Sequence, residues 1–271
     1  MIKAKKKYGQ NFLKDQDAIS KIIEAIPNNK NKIVEIGPGL GDLTKFIVKR
    51  KDVIAYEVDS ELYEYLYSEF KDEIKNEKLK ILLGDVLSFW EQNKTLFDGK
   101  YDLIANLPYY IATNIILKAL DDSNCENIIV MVQKEVAQKF ISSVSDSDYC
   151  GLSVITALVS LGAQILFDLP PSSFLPPPKV TSSVIWIKKK KNISLDDNFN
   201  KFLKFCFTQP RKTLIKNLSG RYDRFILEQI LLEFDLSFSI RPHELSPSLF
   251  SLLYERIIKD DRKYTGATRD E

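Results

Sequence analysis

Short, unbroken apolar runs alternate with amphipathic stretches over the first two-thirds of the chain. Lys32–Ile36, Val53–Glu57, Leu79–Leu83, Tyr101–Ala105 and Asn127–Val132 are rich in Ile, Val and Leu and show no in-out alternation. Such runs suit central strands covered on both faces. Between them, Asp42–Lys51, Ser60–Lys75, Leu87–Leu96 and Ile111–Leu120 carry apolar residues at helical spacing. The alternation predicts an open parallel sheet with helices on both faces. Two further strands are expected at Gln164–Leu169 and Val180–Lys188, joined by the proline-rich loop Pro170–Pro178. That loop is short enough to make the pair an antiparallel addition at one sheet edge.

After Lys191 the strand pattern stops. Asn198–Phe207, Arg211–Leu218, Arg224–Phe234 and Pro247–Lys259 have helical spacing. The expectation is an α/β domain over residues 1–191 and a smaller all-helical domain over 192–271, with a flexible tail from about Asp260. No internal repeat is present.

The predicted strand ends carry the chemistry. Glu35-Ile36-Gly37-Pro38-Gly39-Leu40-Gly41 follows the first strand and opens a helix. Glycines there let the backbone approach a ligand closely, and a helix N-terminus favours negative charge. The spacing is Gly-x-Gly-x-Gly, not the Gly-x-Gly-x-x-Gly of dinucleotide binders. Glu57 ends the second strand, where a carboxylate can hold ribose hydroxyls. Asp85, just past the third, is placed to accept from an adenine amine. A glycine turn, a ribose acid and an adenine acid at successive strand ends favour S-adenosyl-L-methionine over NAD. The fourth strand runs into Asn106-Leu107-Pro108-Tyr109. The asparagine amide both donates and accepts. The proline holds Leu107 out of the helical region, so its carbonyl points outward. The tyrosine offers a flat face for a base. The tetrapeptide reads as a socket for a planar amine, although Asn and Pro are also ordinary turn residues.

Composition narrows the classes. The 271 residues are 44% hydrophobic with a formal net charge of +2, enough for a substantial core and no partner named by charge alone. The distribution says more. Lys3, Lys5, Lys6, Lys7 and Lys14 face no acid in the first fourteen residues, Lys188 to Lys191 form a run, and Lys201, Lys204, Arg211, Lys212, Lys216, Arg221 and Arg224 stand against Asp223. Such clusters suit a phosphate backbone. Cys125, Cys150 and Cys206 form no disulfide framework or zinc pattern, which fits a reducing cytoplasm. A single histidine, His243, leaves little room for histidine catalysis or a multi-histidine metal site, and no metal is expected. The lysine-rich start lacks the apolar stretch of a signal peptide, and no run approaches a membrane span.

With these residues in view, the chain resembles the small-subunit ribosomal RNA adenine dimethyltransferases of the bacterial kasugamycin-sensitivity type, from about Tyr8 to about Ile258. The shared motifs are Tyr8-Gly9-Gln10-Asn11-Phe12-Leu13, Glu35–Gly41, Asn106–Tyr109, Gln133-Lys134-Glu135-Val136, Pro170–Val180 and Arg211-Lys212-Thr213-Leu214. The resemblance implies a Rossmann-like, S-adenosyl-L-methionine-dependent methyltransferase sheet followed by a helical domain that recognises RNA. It implies Asn11, Leu13, Gly37, Glu57, Asp85 and Asn106 against the cofactor. Catalysis would fall to Asn106, Leu107, Pro108 and Tyr109, with Tyr109 and Phe174 stacking on the target base. RNA contacts are expected from Lys188, Lys189, Lys190, Arg211 and Lys212, bracketing the site. The family usually has Gln-Arg-Arg-Lys where this chain has Gln209-Pro210-Arg211-Lys212, which puts the RNA role of position 210 in question. The implied substrate is a pair of adjacent adenosines in a hairpin loop near the 3′ end of small-subunit RNA, met in a pre-ribosomal particle by a monomeric, cytoplasmic enzyme. A large-subunit dimethyltransferase and a non-catalytic RNA-binding assembly factor on the same fold are the alternatives.

Overall fold

The computed structural model describes residues 3–191 and 196–267, with side chains to Ile258. Among these the chain forms two compact units, residues 1–138 with 160–194 and residues 139–159 with 195–271. In the first unit the strands are β1 (Phe12–Leu13), β2 (Lys32–Ile36), β3 (Val53–Glu57), β4 (Leu79–Leu83), β5 (Tyr101–Asn106), β6 (Cys125–Gln133), β7 (Ser160–Leu169), β8 (Phe174–Leu175) and β9 (Ser182–Lys189). The helices are α1 (Gln16–Glu24), α2 (Thr44–Ile47), α3 (Ser60–Glu69), α4 (Lys71–Lys75), α5 (Val86–Asn93) and α6 (Ala112–Asp121), and α7 (Lys134–Ile141) begins in this unit and ends in the second.

Seven strands among the described residues form one sheet in the order β4-β3-β2-β5-β6-β9-β7. β4, β3, β2, β5 and β6 are parallel, while β9 and β7 add antiparallel at the edge. Ile33, Val34, Leu103, Ile104, Ile128 and Val130 are buried, as apolar runs covered on both faces should be. The strand order reverses between β2 and β5, so the crevice beyond their carboxyl ends is the expected place for a ligand. The edge strand β7 carries two irregularities, at Ser160/Gly162 and Ile165/Phe167, which discourage pairing with another chain.

The parallel strands and the antiparallel pair fall where the apolar pattern placed them. The helices differ more. The α-helix expected over Asp42–Lys51 is confined to Thr44–Ile47, because the chain tightens so that Arg50 and Lys51 both donate to the Ile47 carbonyl. The single helix expected over Ser60–Lys75 breaks at Phe70, whose ring is buried under the glycine turn. A Cβ built on Gly41, at φ +76°, would lie 2.5 Å from that ring. Helix α1 lies ahead of the first apolar run, where the strand-helix alternation predicts no element. Asp15 caps it by accepting from Ala18 N–H, and it buries Ala18, Ile19, Ile22 and Ile23 on one face.

In the second unit the helices are α8 (Gly151–Val159), α9 (Asp197–Cys206), α10 (Leu214–Leu218), α11 (Arg224–Glu233) and α12 (Pro247–Ala267). Residues 139–159 belong here, not with the sheet as a boundary at residue 191 implies. Tyr149 explains why: its hydroxyl donates to the Leu245 carbonyl at 2.9 Å and its ring meets Phe207 edge-on. Ser145 N–H donates to the His243 carbonyl, so His243 serves a structural turn. The expected boundary residues 192–195 lie outside the described residues, as do 268–271. α12 runs to Ala267, past the point near 260 where the tail was expected.

Gly41→Ala is expected to destabilise the protein by about 2–4 kcal/mol, from a left-handed backbone a methyl resists and from overpacking on Phe70. Urea unfolding followed by fluorescence checks this; an unchanged midpoint would remove Gly41 from the packing argument.

Candidate active site

The carboxyl ends of β2, β3 and β5 converge on a pocket in the first unit, roofed by the N-terminal arm. Its lining includes Gly9, Asn11 and Leu13 from the arm, and Glu35, Gly37 and Asp42 from β2 and the turn after it. Glu57 ends β3 and Val58 follows it, while Asn106 ends β5 and Leu107, Pro108 and Tyr109 follow. The structure thus brings together Asn11, Leu13, Gly37, Glu57 and the whole Asn106–Tyr109 tetrapeptide.

The arm is tied down along its length. β1 pairs antiparallel with β8, setting Phe12 opposite Leu175 and Leu13 opposite Phe174. Lys14 N–H donates to the Ser173 carbonyl, and the Ser173 hydroxyl donates to Asp15. Lys5 reaches Asp59 at 2.7 Å and Glu61 at 2.8 Å, Gln10 donates to Asp59, and Lys14 pairs with Asp42. The Lys5 and Gln10 contacts hold the Asp59 carboxyl below the usual carboxylate range, against a desolvation that pushes the other way.

Asn106 is oriented by this arm. Its Nδ2 donates to the Asn11 carbonyl at 2.8 Å, which commits the amine side of the carboxamide and turns Oδ1 away as an acceptor. Leu107 N–H donates to the Met131 carbonyl on β6, while no hydrogen bond to the Leu107 carbonyl is present among the described residues. Tyr109 hydroxyl and Ser182 Oγ lie 2.7 Å apart. Ser182 is fully buried at the head of β9, so it fixes the tilt of the Tyr109 ring. No pattern in the sequence marks a serine for that role.

Three carboxyl groups line the pocket, and they differ in what they hold. Glu57 Oε1 accepts from Asp59 N–H at 2.9 Å and Oε2 from Gly39 N–H at 3.4 Å. Burial raises its pKa and these backbone donors oppose the rise. Asp42 is paired with Lys14. Glu35 is 2% exposed, and its Oε2 has no hydrogen-bond partner among the described residues. Desolvation pushes it up to about 8, tempered by the Thr44 hydroxyl and reinforced by the charge on Glu57. An acid inside the apolar run Ile33-Val34-Glu35-Ile36 was the available sequence signal. The lining contains no lysine or arginine. That suits an adenosine-bearing cation and is a poor match for the pyrophosphate of a dinucleotide. Gly37, at φ +65°, has open space where a Cβ would sit, so a ligand can lie against its backbone.

Some expected residues are placed otherwise. Asp85 is exposed and caps α5 by accepting from Leu87 N–H at 2.9 Å. It stands two residues past Leu83, the β4 neighbour of Glu57, outside the pocket lining. Phe174 is 4% exposed within the core beneath β8, so in this conformation it presents no face to a base. Lys189 is 6% exposed, and its ammonium donates to the Ala119 carbonyl at 2.8 Å and to the Asp122 carbonyl. Burial lowers its pKa, and it is not available to a phosphate. Lys188 is exposed and Lys190 half-buried.

In the helical unit, Arg211 and Lys212 are exposed on a turn closed by Lys212 N–H donating to the Gln209 carbonyl at 2.9 Å. Pro210 occupies the second position of that turn, where its fixed φ is favourable. Asn217 grips the turn from below, accepting from Gln209 N–H and donating to the Gln209 carbonyl. The proline trades a guanidinium for a stiffer presentation of the two cations that follow. Among the described residues no cluster fit for a metal is found, and no helix is long and apolar enough to cross a membrane.

Because the native Glu35 carboxyl titrates near 8 and its unfolded form near 4.5, the native state holds the extra proton between those values. Its contribution to stability is therefore complete below about pH 4.5 and lost as pH rises to about 8, at up to ~1.4 kcal/mol per pH unit. Glu35→Gln should flatten this loss in urea titrations between pH 5.5 and 7.5. Parallel wild-type and variant profiles would contradict it.

Known proteins match this arrangement over nearly the whole chain. Residues 1–237 match the family described as ribosomal RNA adenine dimethylase. The ribosomal RNA small subunit methyltransferase A of Aliarcobacter butzleri is 57% identical over 256 residues, covering 94% of this chain and 97% of that protein. Its counterpart from Sulfurimonas denitrificans is 54% identical over 254 residues, 94% of each. A crystal structure of a dimethyladenosine transferase from Plasmodium falciparum superposes with a TM-score of 0.77 at 26% identity, covering 92% of this chain and 98% of that one. The chain belongs to the ribosomal RNA adenine dimethylase family, whose methyl donor is S-adenosyl-L-methionine.

Proposed function

We propose that the protein, a cytoplasmic monomer, dimethylates N6 of two adjacent adenosines in a hairpin loop near the 3′ end of small-subunit ribosomal RNA, within an assembling particle. The observation that carries this reading is the fixed carboxamide of Asn106, with Nδ2 on the Asn11 carbonyl and Oδ1 left to accept. An exocyclic adenine amine is a weak nucleophile because its lone pair is delocalised into the ring. Asn106 Oδ1 and the Leu107 carbonyl accept its two hydrogens and draw the nitrogen toward tetrahedral geometry. Tyr109, its hydroxyl held by Ser182, supports the base from one face. S-adenosyl-L-methionine, when bound, supplies a methyl group on a positively charged sulfur. Glu57 would hold its ribose hydroxyls on the lone pairs the backbone donors leave free, Asp85 would meet its adenine, and Asn11, Leu13 and Gly37 would hold the remainder. The methylated amine is strongly acidic and loses its proton to water, so no side-chain base is required. Catalysis rests on orientation and preplaced dipoles. The target adenine must leave its stack to reach the pocket.

For RNA, Lys188 on the sheet unit and Arg211 and Lys212 on the helical unit are exposed cations suited to phosphate. The small-subunit assignment is supported by the names and the high identity of the bacterial relatives.

Labelled-methyl transfer to undermethylated small subunits, followed by nucleoside analysis, should yield dimethyladenosine. Tight particle binding without methyl transfer would point instead to an assembly factor. Asn106→Ala should lower the transfer rate by about 10²- to 10³-fold, as for loss of one preplaced dipole, while cofactor affinity stays within about twofold. Near-native turnover would sink the mechanism. Replacing Arg211 and Lys212 together by alanine should reduce the slope of log affinity against log salt by about 2. Lys189→Met should leave that slope alone and lower stability; a reduced slope would restore Lys189 to the RNA surface.

A further inference from the structure

Tyr109 and Tyr110 are the two central residues of one turn, which Ile111 N–H closes by donating to the Pro108 carbonyl at 3.2 Å. The turn sends them to different surroundings. Tyr109 lines the pocket with its hydroxyl held by Ser182, whereas Tyr110 stands outside the lining and is 64% exposed. The Tyr110 hydroxyl makes no hydrogen bond among the described residues. Helix α6 does not need this ring, because Ala112, Ile115 and Ile116 already supply its buried face. A single exposed aromatic is ordinary on a protein surface, so its surroundings must decide what it is for.

Those surroundings belong to the mouth of the pocket. Gly9 lines the pocket at φ +60°, and a Cβ there would lie 3.3 Å from Tyr110 Cδ1 and 3.4 Å from Cε1. One edge of the ring therefore rests on bare backbone of the arm, while most of its surface stays open. Lys6 and Lys7 belong to the short 3-10 turn that Gly9 ends. Lys5 is engaged by Asp59 and Glu61, but Lys6 and Lys7 are exposed and form no ion pair among the described residues. The Lys7 ammonium lies 4.4 Å over the Tyr8 ring. An open aromatic ring beside free cations is what an unstacked stretch of RNA requires, base on ring and phosphate on ammonium.

The geometry points to Tyr110 as the platform for the nucleotide next to the one in the pocket. While one adenosine is methylated, the base of its neighbour stacks on Tyr110, with Lys6 and Lys7 beside it for the phosphates. Adjacent nucleotides are joined by one phosphodiester and Tyr109 to Tyr110 by one peptide bond, so the base beside the target meets the ring beside Tyr109. The platform keeps the second adenosine of the pair unstacked and at the rim between transfers. This rests on the reading of the pocket as the site where two adjacent adenosines are methylated.

Undermethylated small subunits in three forms test it: unchanged, and with either adenosine of the pair replaced by uridine, which stacks less. Labelled-methyl transfer is followed at one given adenosine, with adenosine or uridine as its neighbour. The whole protein is used as wild type, as Tyr110→Phe and as Tyr110→Leu, the last keeping apolar bulk over Gly9 without a flat ring. On unchanged particles Tyr110→Leu should lower kcat/KM by about 5- to 50-fold, chiefly through KM, while Tyr110→Phe stays within about twofold of wild type. Unchanged affinity of Tyr110→Leu for S-adenosyl-L-methionine certifies its fold. For at least one order of the pair, uridine as neighbour should slow the wild type by about fivefold or more and leave Tyr110→Leu no slower than it already was, so the two losses do not add. Losses that multiply independently would make the ring a structural support and overturn the inference. Native transfer by Tyr110→Leu overturns it as well, and so does a Tyr110→Phe as slow as Tyr110→Leu, which would move the contact to the hydroxyl. Absence of transfer by the wild type to any of the particles defeats the reading of the pocket itself, and the inference with it.

Discussion

A carboxamide can accept on one side only if something else occupies the other. In this protein the Asn11 carbonyl does so for Asn106, across 95 residues of sequence. The bond fixes which atom faces the pocket, and it exists only while the arm lies over the strand ends. The arm in turn depends on β8, Ser173 and Asp59. The roof over the pocket and the aim of its central acceptor are thus one arrangement. A displaced arm would both open the pocket and free the amide to turn.

Much of the sheet could be read directly, because central strands buried on both faces leave uninterrupted Ile, Val and Leu. The site was legible where chemistry falls at strand ends, as with Gly37, Glu57 and Asn106. Legibility failed where a role depends on what lies across space. Phe174 and Lys189 sit in motifs that suggest a base and a phosphate, yet Phe174 underpins the arm and Lys189 caps carbonyls at Ala119 and Asp122. Ser182 gains its role from Tyr109, 73 residues away, and a lone serine carries no pattern. Glu35 was visible as an acid among apolar residues, but its lack of a partner needs coordinates. Helices fared worst at their ends, since the break at Phe70 comes from packing under Gly41 rather than from propensity.

Charge is sorted by location. The pocket lining holds carboxyl groups without lysine or arginine, whereas Lys188 stands exposed on β9 and Arg211 and Lys212 on an exposed turn. One chain thus presents surfaces of opposite sign, an acidic pocket and separate basic positions. The near-neutral net charge of +2 conceals this division.

The helical unit is discontinuous in sequence: the chain enters it after Gln138, leaves after Val159, and returns only past residue 194. During synthesis, α8 emerges with Val154, Ile155 and Val159 exposed, well before α9 and α12 exist to cover them. A gene cut at residue 191 would strand α8 on one fragment and its covering helices on the other, so neither half could be inherited as an autonomous folding module.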